Sequence, residues 1–380
     1  MSPIFIFKVN SIYKDFNSLE EKLKRIEHIL NFIHNQLLQL ESNFSFYSCL
    51  GMNKLNIISE ENYINFKQIY RKSFNSQKIK AILLAPEYFM SLTRQNKIIL
   101  NEDKLLIEKK FHKLSEKYSN ILILLGTIAS EKNNTTKNVN TDSTLYDTMK
   151  KYKEYVQAKK LRGIANYKSP YEFYKSSLIE DNSMKSMQHF NYLVNHEFNM
   201  YNIRDTKNFS DRVKDYQDNR NNFRLISNKA YGYLAGSRIV KYSKIAGYDE
   251  ESNYGKQLFI PGIKSEKIYQ KGVGLYSIPV NKEKSLTLGI EICYEHFHGI
   301  GRKFWQTNPD IHLIMSASVI NKVGNFKVKP NGYVIHTSTS DSEDKIFHYK
   351  NLSFNILNEH DIKISYGKIN YNLKCGLIYI

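Results

Sequence analysis

Five short apolar runs constrain this chain more than anything else in it: IFIFKVN (4–10), AILLAPEYF (81–89), ILILLGTIAS (121–130), SLTLGIEIC (285–293) and IHLIMSAS (311–318). Each has the length and the aliphatic, β-branched content of a strand covered on both faces. After the first run, Leu19, Leu23, Ile26, Leu30, Ile33, Leu37 and Leu40 recur at helical spacing. Asn17-Ser18 followed by Glu20 and Glu21 marks the start of that helix. Residues 103–118 read as a second helix, and residues 41–77 show no clean period. KAYGYLAG, RIVKYSKI and GVGLYSIPV add strand signals. Strands alternating with helices predict a layered α/β domain.

Composition narrows the function classes. A chain of 380 residues with 41% hydrophobic and 13% aromatic residues can build a large core, which excludes collagen-like and mainly disordered classes. No apolar run approaches the roughly 18 residues of a membrane span. MSPIFIFKVN, broken by Lys8, reads as a strand and not as a signal peptide, so a cytoplasmic protein is expected. Cys49, Cys293 and Cys375 are odd in number and lack ligand spacing, which excludes a disulfide framework and gives no zinc motif. No metal and no cofactor is expected; Gly272 and Gly274 do not make a phosphate loop. The net charge of +18 suggests a polyanion partner, but the basic residues are 45 Lys against 10 Arg, in a chain also rich in Asn, Ile and Tyr. These types share A/T-rich codons, and Arg is the residue that bidentate phosphate and base contacts favour. Specific nucleic-acid binding is therefore not expected.

Three residues could carry chemistry. Cys293 ends an apolar strand on which Thr287, Gly289, Glu291 and Cys293 share one face, and Gly289 allows a close approach. Taken alone, a cysteine there is more often an inert core residue. Glu87 ends a second strand, where burial would raise its pKa towards that of a general acid or base. Lys244 lies in RIVKYSKI, three residues from Lys241 and so on the opposite side of a regular strand. A lysine there could hold developing negative charge. His296 and His298 stand too close to Cys293 for an easy dyad and read as helix-start or surface residues. His336 is a remoter candidate base without a supporting motif.

Taken in chain order, these motifs carry a resemblance. A strand ending Pro86-Glu87-Tyr88-Phe89, a Tyr242-Ser243-Lys244-Ile245 strand and a strand ending Gly289-Ile290-Glu291-Ile292-Cys293-Tyr294-Glu295 resemble the nitrilase, or carbon–nitrogen hydrolase, superfamily. That family orders its Glu-Lys-Cys triad in this way. Asn228-x-Ala230 and Gly236, then Gly247-Tyr248-Asp249-Glu250 with Pro261-Gly262, then Arg302 with Ser316-Ala317-Ser318, extend the likeness over residues 1–40, 78–131 and 226–320. The resemblance implies a four-layer α-β-β-α sandwich and an amidase-like hydrolase of non-peptide carbon–nitrogen bonds, acting on a small amide or nitrile. It implies Cys293 as nucleophile, Glu87 as general base, and Lys244 with the Tyr294 backbone N–H as oxyanion stabilisers. Glu250 matches the second glutamate of the family, with Glu251 its neighbour in register. A homodimer is implied as well.

Two departures stand beside this likeness. About 95 residues, 132–226, separate segments that family members join with a short loop. Loops of that length are rarely structureless, so a helical insertion within a single 1–380 catalytic domain is expected. The insertion carries 17 basic and 11 acidic residues, close to the density of the whole chain. Residues 321–380 lack the Arg-Ala-x-Glu-Asn pattern of the family and form a divergent C-terminal part, with strand signals at 331–340 and beyond. Two alternatives remain open: acyl transfer to an amine by the same triad, and a nitrilase-like scaffold that binds a protein partner through the insertion.

Overall fold

The first apolar run forms strand β1 (Pro3–Val9), buried along its whole length. This computed structural model describes residues 2–9, 18–42, 57–91, 98–131, 157–158, 161–162, 224–244, 257–259, 274–366 and 369–380. Helix α1 (Leu19–Glu41) is capped by Ser18, whose Oγ accepts the Glu21 N–H at 3.1 Å. Such a cap stabilises a helix start by about 1 kcal/mol. Helices α2 (Glu60–Ile69) and α3 (Arg71–Asn75) fall where the sequence showed no period. Helix α2 buries only Tyr63 and Phe66, too narrow a stripe to register as a repeat.

Strands β2 (Ala81–Ala85) and β3 (Ile98–Ile99), helix α4 (Asn101–Lys117), and strands β4 (Ile121–Leu125) and β5 (Thr127–Glu131) follow. Strands β6 (Arg224–Leu234) and β7 (Ser237–Ser243) then form an antiparallel pair. Strand β8 (Gln257–Phe259) pairs in parallel with Arg224–Ile226. A second sheet is built from β9 (Leu275–Pro279), β10 (Ser285–Ile292), β11 (Ile311–Ser316), β12 (Tyr333–Ser338), β13 (Ile346–Lys350) and β14 (Ser353–Ile356). Its order is β14-β13-β12-β11-β10-β9, with β10, β11 and β12 parallel. Strands β15 (His360–Tyr366) and β16 (Ile369–Tyr379) return to the first sheet, whose order is β15-β16-β1-β2-β4-β6-β5-β3, with β7 beside β6. The molecule is thus a mixed α/β protein with two sheets.

Strands β1, β2 and β4 of the first sheet are buried on both faces, which explains unbroken apolar runs in place of alternation. Phe5, Phe7, Ala81, Leu83, Ile121 and Ile123 join one core with Leu23, Ile26, Leu30 and Ile33 of α1 and Ile107 and Phe111 of α4. The alternate residues Ile4, Ile6, Ile82, Leu84, Leu122 and Leu124 are equally buried. The two sheets are tied where Thr337 Oγ1 of β12 donates to the Ala85 carbonyl of β2 at 3.1 Å.

The chain divides into two compact units: Met1–Glu131 with Ser227–Ile245 and Lys267–Ile380, and Lys132–Ile226 with Ala246–Glu266. The helical insertion expected over 132–226 lies almost wholly outside the described residues. None of the described helices is long and apolar enough to cross a membrane.

Candidate active site

Strand β2 runs straight into a tight turn at Pro86–Met90, and Glu87 sits in it, 1% exposed. Tyr88 takes φ 58°, and its N–H donates to Thr127 Oγ1 at 3.2 Å. Gly126 lies beneath this turn with φ +64°; a Cβ there would meet the Pro86 carbonyl oxygen at 2.1 Å. Only glycine fits both the backbone and the space.

Lys244 and Asn228 stand opposite each other where β7 continues past its last paired residue, the Lys244 N–H donating to the Asn228 carbonyl at 2.8 Å. Both side chains reach Glu87. Lys244 Nζ lies 2.7 Å and Asn228 Nδ2 3.0 Å from the same Oε1. Lys244 is 1% exposed while Lys241 is exposed, as the three-residue spacing requires.

Cys293 follows β10 and opens helix α5 (Tyr294–His298) with φ 51° and ψ −106°. A non-glycine residue adopts such a conformation only when its surroundings hold it there. Its N–H donates to the Met315 carbonyl at 2.8 Å, and its carbonyl accepts the His296 N–H at 3.0 Å. The sulfur hydrogen-bonds with Glu87, feels the charge of Lys244, and accepts the Ala317 backbone N–H. Burial and the Glu87 carboxylate push the thiol well above its ordinary range, against Lys244 and Ala317. The site therefore sets the Cys293 sulfur beside the Glu87–Lys244 ion pair. Glu87, Lys244 and Cys293, remote in sequence, come together at the carboxyl ends of β2, β7 and β10, where α/β sheets place their ligands.

Glu295 is fully buried; its Oε2 accepts the Tyr242 hydroxyl at 2.9 Å and the Ile292 N–H at 2.7 Å. It joins the strand of Lys244 to the turn that carries Cys293. Tyr294 is half-buried and stacks on Phe297, centroids 5.6 Å apart. Glu250, Glu251 and Cys49 lie outside the described residues. Cys375 is buried, its sulfur against the Ile57 carbonyl at 3.5 Å, away from this site.

The comparisons with known proteins find no matching family model and no matching curated protein. Solved structures that match include glutamine-dependent NAD+ synthetases. The one from Cytophaga hutchinsonii has TM-score 0.39 and 10% identity over 99% of this chain and 43% of the other. The one from Acinetobacter baumannii, in complex with ADP, has TM-score 0.40 and 9% identity over 99% of this chain and 45% of the other. This chain spans less than half the length of either.

The surface reading of His296 is corrected: the residue lies in α5 but is fully buried, with Nδ1 2.9 Å from Glu291 Oε2. The side chain of His298 lies outside the described residues. His336 is also buried, between Ser316 Oγ at 2.7 Å and Asn321 Oδ1 at 2.8 Å. Both of its ring nitrogens are thus engaged by partners other than Cys293. Sequence spacing also missed a cluster. His312, on β11, brings its Nε2 2.8 Å from Glu291 Oε2, so Glu291, His296 and His312 offer three metal-type ligand atoms within 4.8 Å. Their hydrogen bonds argue against a cation. His296 Nε2 accepts the Lys322 N–H and His312 Nδ1 the Lys327 N–H, so each ring's proton is on the nitrogen facing Glu291. The inward lone pairs that a metal needs are taken. Polar residues inside the apolar runs LGIEIC and IHLIMSAS were the sequence signs of this cluster.

Proposed function

We propose that the chain is a carbon–nitrogen hydrolase of the nitrilase type, acting on a small amide or nitrile through a covalent intermediate on Cys293. The observation that carries this reading is the meeting of Glu87, Lys244 and Cys293, with Asn228 orienting the carboxylate. The layering that goes with it is helix–sheet–sheet–helix, with α1 to α4 on one outer face and α5 on the other.

In the first step the Cys293 sulfur attacks the amide carbon while Glu87 takes the thiol proton. The raised thiol pKa requires this coupled transfer, because little thiolate exists at rest. Negative charge grows on the substrate oxygen, where Lys244 Nζ and the Tyr294 backbone N–H stabilise it. The carbon–nitrogen bond breaks, protonated Glu87 gives its proton to the leaving amine, and a thioester remains. Water then attacks the thioester, Glu87 takes its proton, and the carbon–sulfur bond breaks to return the thiol and release the acid. Lys244 Nζ, 2.7 Å from Glu87 Oε1, holds the carboxylate in place between the two half-reactions.

The test is to screen primary amides and nitriles against wild type and Cys293→Ala, and to trap the intermediate by mass spectrometry. The expected result is total loss of turnover in the variant and an acyl group on the peptide containing Cys293. Turnover retained by Cys293→Ala overturns the reading. Accumulation of an amide product when an amine is added would reassign the second step to acyl transfer.

A further inference from the structure

We propose that the buried Glu291 carboxylate is the positioning group for Cys293, a staple that holds the nucleophile turn in its strained conformation. The inference deepens the functional reading above and rests on it. Glu291 stands two residues before Cys293 on β10, and His296 three residues after it on α5. The carboxylate bridges them across the turn through the His296 Nδ1–H at 2.9 Å. It also accepts the His312 Nε2–H from β11 at 2.8 Å, and the Gly301 N–H from helix α6 (Ile300–Phe304). One side chain thus fixes the strand that enters the turn, the helix that leaves it, the next helix and the neighbouring strand.

The chemistry suits a carboxylate and little else. All three partners are N–H donors, because the outer nitrogens of both rings are occupied by the Lys322 and Lys327 N–H groups. A carboxylate accepts on both oxygens, whereas an amide presents one donor face. Glu291→Gln therefore sets N–H against N–H in a fully buried site, and the turn must yield. Burial works against charge on Glu291. The neighbouring His312 and the bonds from both histidines outweigh it and hold the carboxyl below its ordinary range.

The test measures the pH midpoint of Cys293 alkylation by iodoacetamide, located by peptide mass spectrometry, in wild type, Glu291→Gln, His312→Leu and His312→Gln. Thermal unfolding is measured in parallel. Wild type should titrate well above an ordinary thiol. Glu291→Gln and His312→Leu should fall towards the free-cysteine value of about 8.5, by roughly one pH unit or more, as the turn relaxes. His312→Gln, whose amide can still donate to Glu291, should keep the wild-type midpoint. On any amide substrate, kcat should fall at least tenfold in the first two variants with KM little changed. A wild-type midpoint and kcat in a folded Glu291→Gln, or a His312→Gln that matches His312→Leu, overturns the proposal. Should Glu291→Gln not fold, the His312 pair decides. Cys293→Ala judges the functional reading separately, since alkylation needs no substrate.

Discussion

Lys244 and Glu87 are each 1% exposed and share a 2.7 Å contact, so each neutralises a charge that the interior would otherwise reject. Removing one partner strands the other. Lys244→Met should therefore lose turnover and also cost about 3–5 kcal/mol of stability. The double variant Glu87→Gln/Lys244→Met should recover most of that stability and none of the activity. Chemical denaturation beside turnover measurements checks both outcomes; full additivity of the two single effects on stability would show that the pair is not coupled. At this scale the sequence was informative about identity and silent about support. Glu87 and Cys293 were legible because each closes an apolar strand, and Lys244 only through the family resemblance that sets it between them. The work of Asn228 and Glu295 was not, because it depends on which residue a neighbouring strand sets opposite. Asn228 acquires its place only through the β6–β7 register.

Turns place Glu87 and Cys293, and two glycines separate a turn's backbone cost from its task. Gly126 and Gly236 both take positive φ, +64° and +70°. Alanine in either left-handed position costs about 1–2 kcal/mol. Gly236, at the β6–β7 hairpin, would leave a new Cβ 3.4 Å from Glu116, an ordinary contact. Gly126→Ala would drive its Cβ into the Pro86 carbonyl and displace the turn that carries Glu87. Gly236→Ala should melt lower but turn over normally, while Gly126→Ala should lose activity at least tenfold at a temperature where it remains folded. Thermal melts with kcat measured below both transitions distinguish them. Element types followed from periodicity wherever burial was broad: α1 was expected from Asn17 to Leu40 and spans Leu19–Glu41. Helices α2 and α3 escaped because little of either is buried. The strands after residue 330 were readable as apolar segments, but their division between the two sheets depends on long-range pairing that no local pattern encodes.

At the scale of the whole molecule, the second sheet buries histidines where protons are excluded. Burial pushes His312 down despite the Glu291 carboxylate, and pushes His336 well below its ordinary value, helped by nearby His296 and Lys8. Their folded pKa values lie below the unfolded value near 6.5, so the unfolded chain binds more protons in the window beneath it. Stability should be full above about pH 6.5 and fall as the pH drops below it, by roughly 1.4 kcal/mol per pH unit for each such histidine. Urea unfolding at pH 7.5, 6.0 and 5.0 checks the sign; a flat profile would mean that the rings are protonated in the fold. One topological feature bears on how this architecture forms. Strand β1 is paired over its seven residues with β16, antiparallel from Pro3↔Tyr379 to Val9↔Leu373. An emerging chain has to keep β1 without that partner until more than 360 further residues exist. Such distant pairing slows folding and leaves an apolar strand edge open to other chains. Recovery of the protein in soluble form should thus depend on chaperones that shield β1 during synthesis. The contact between Cys293 and Glu87, which the two sheets carry between them, forms only once both sheets are in place.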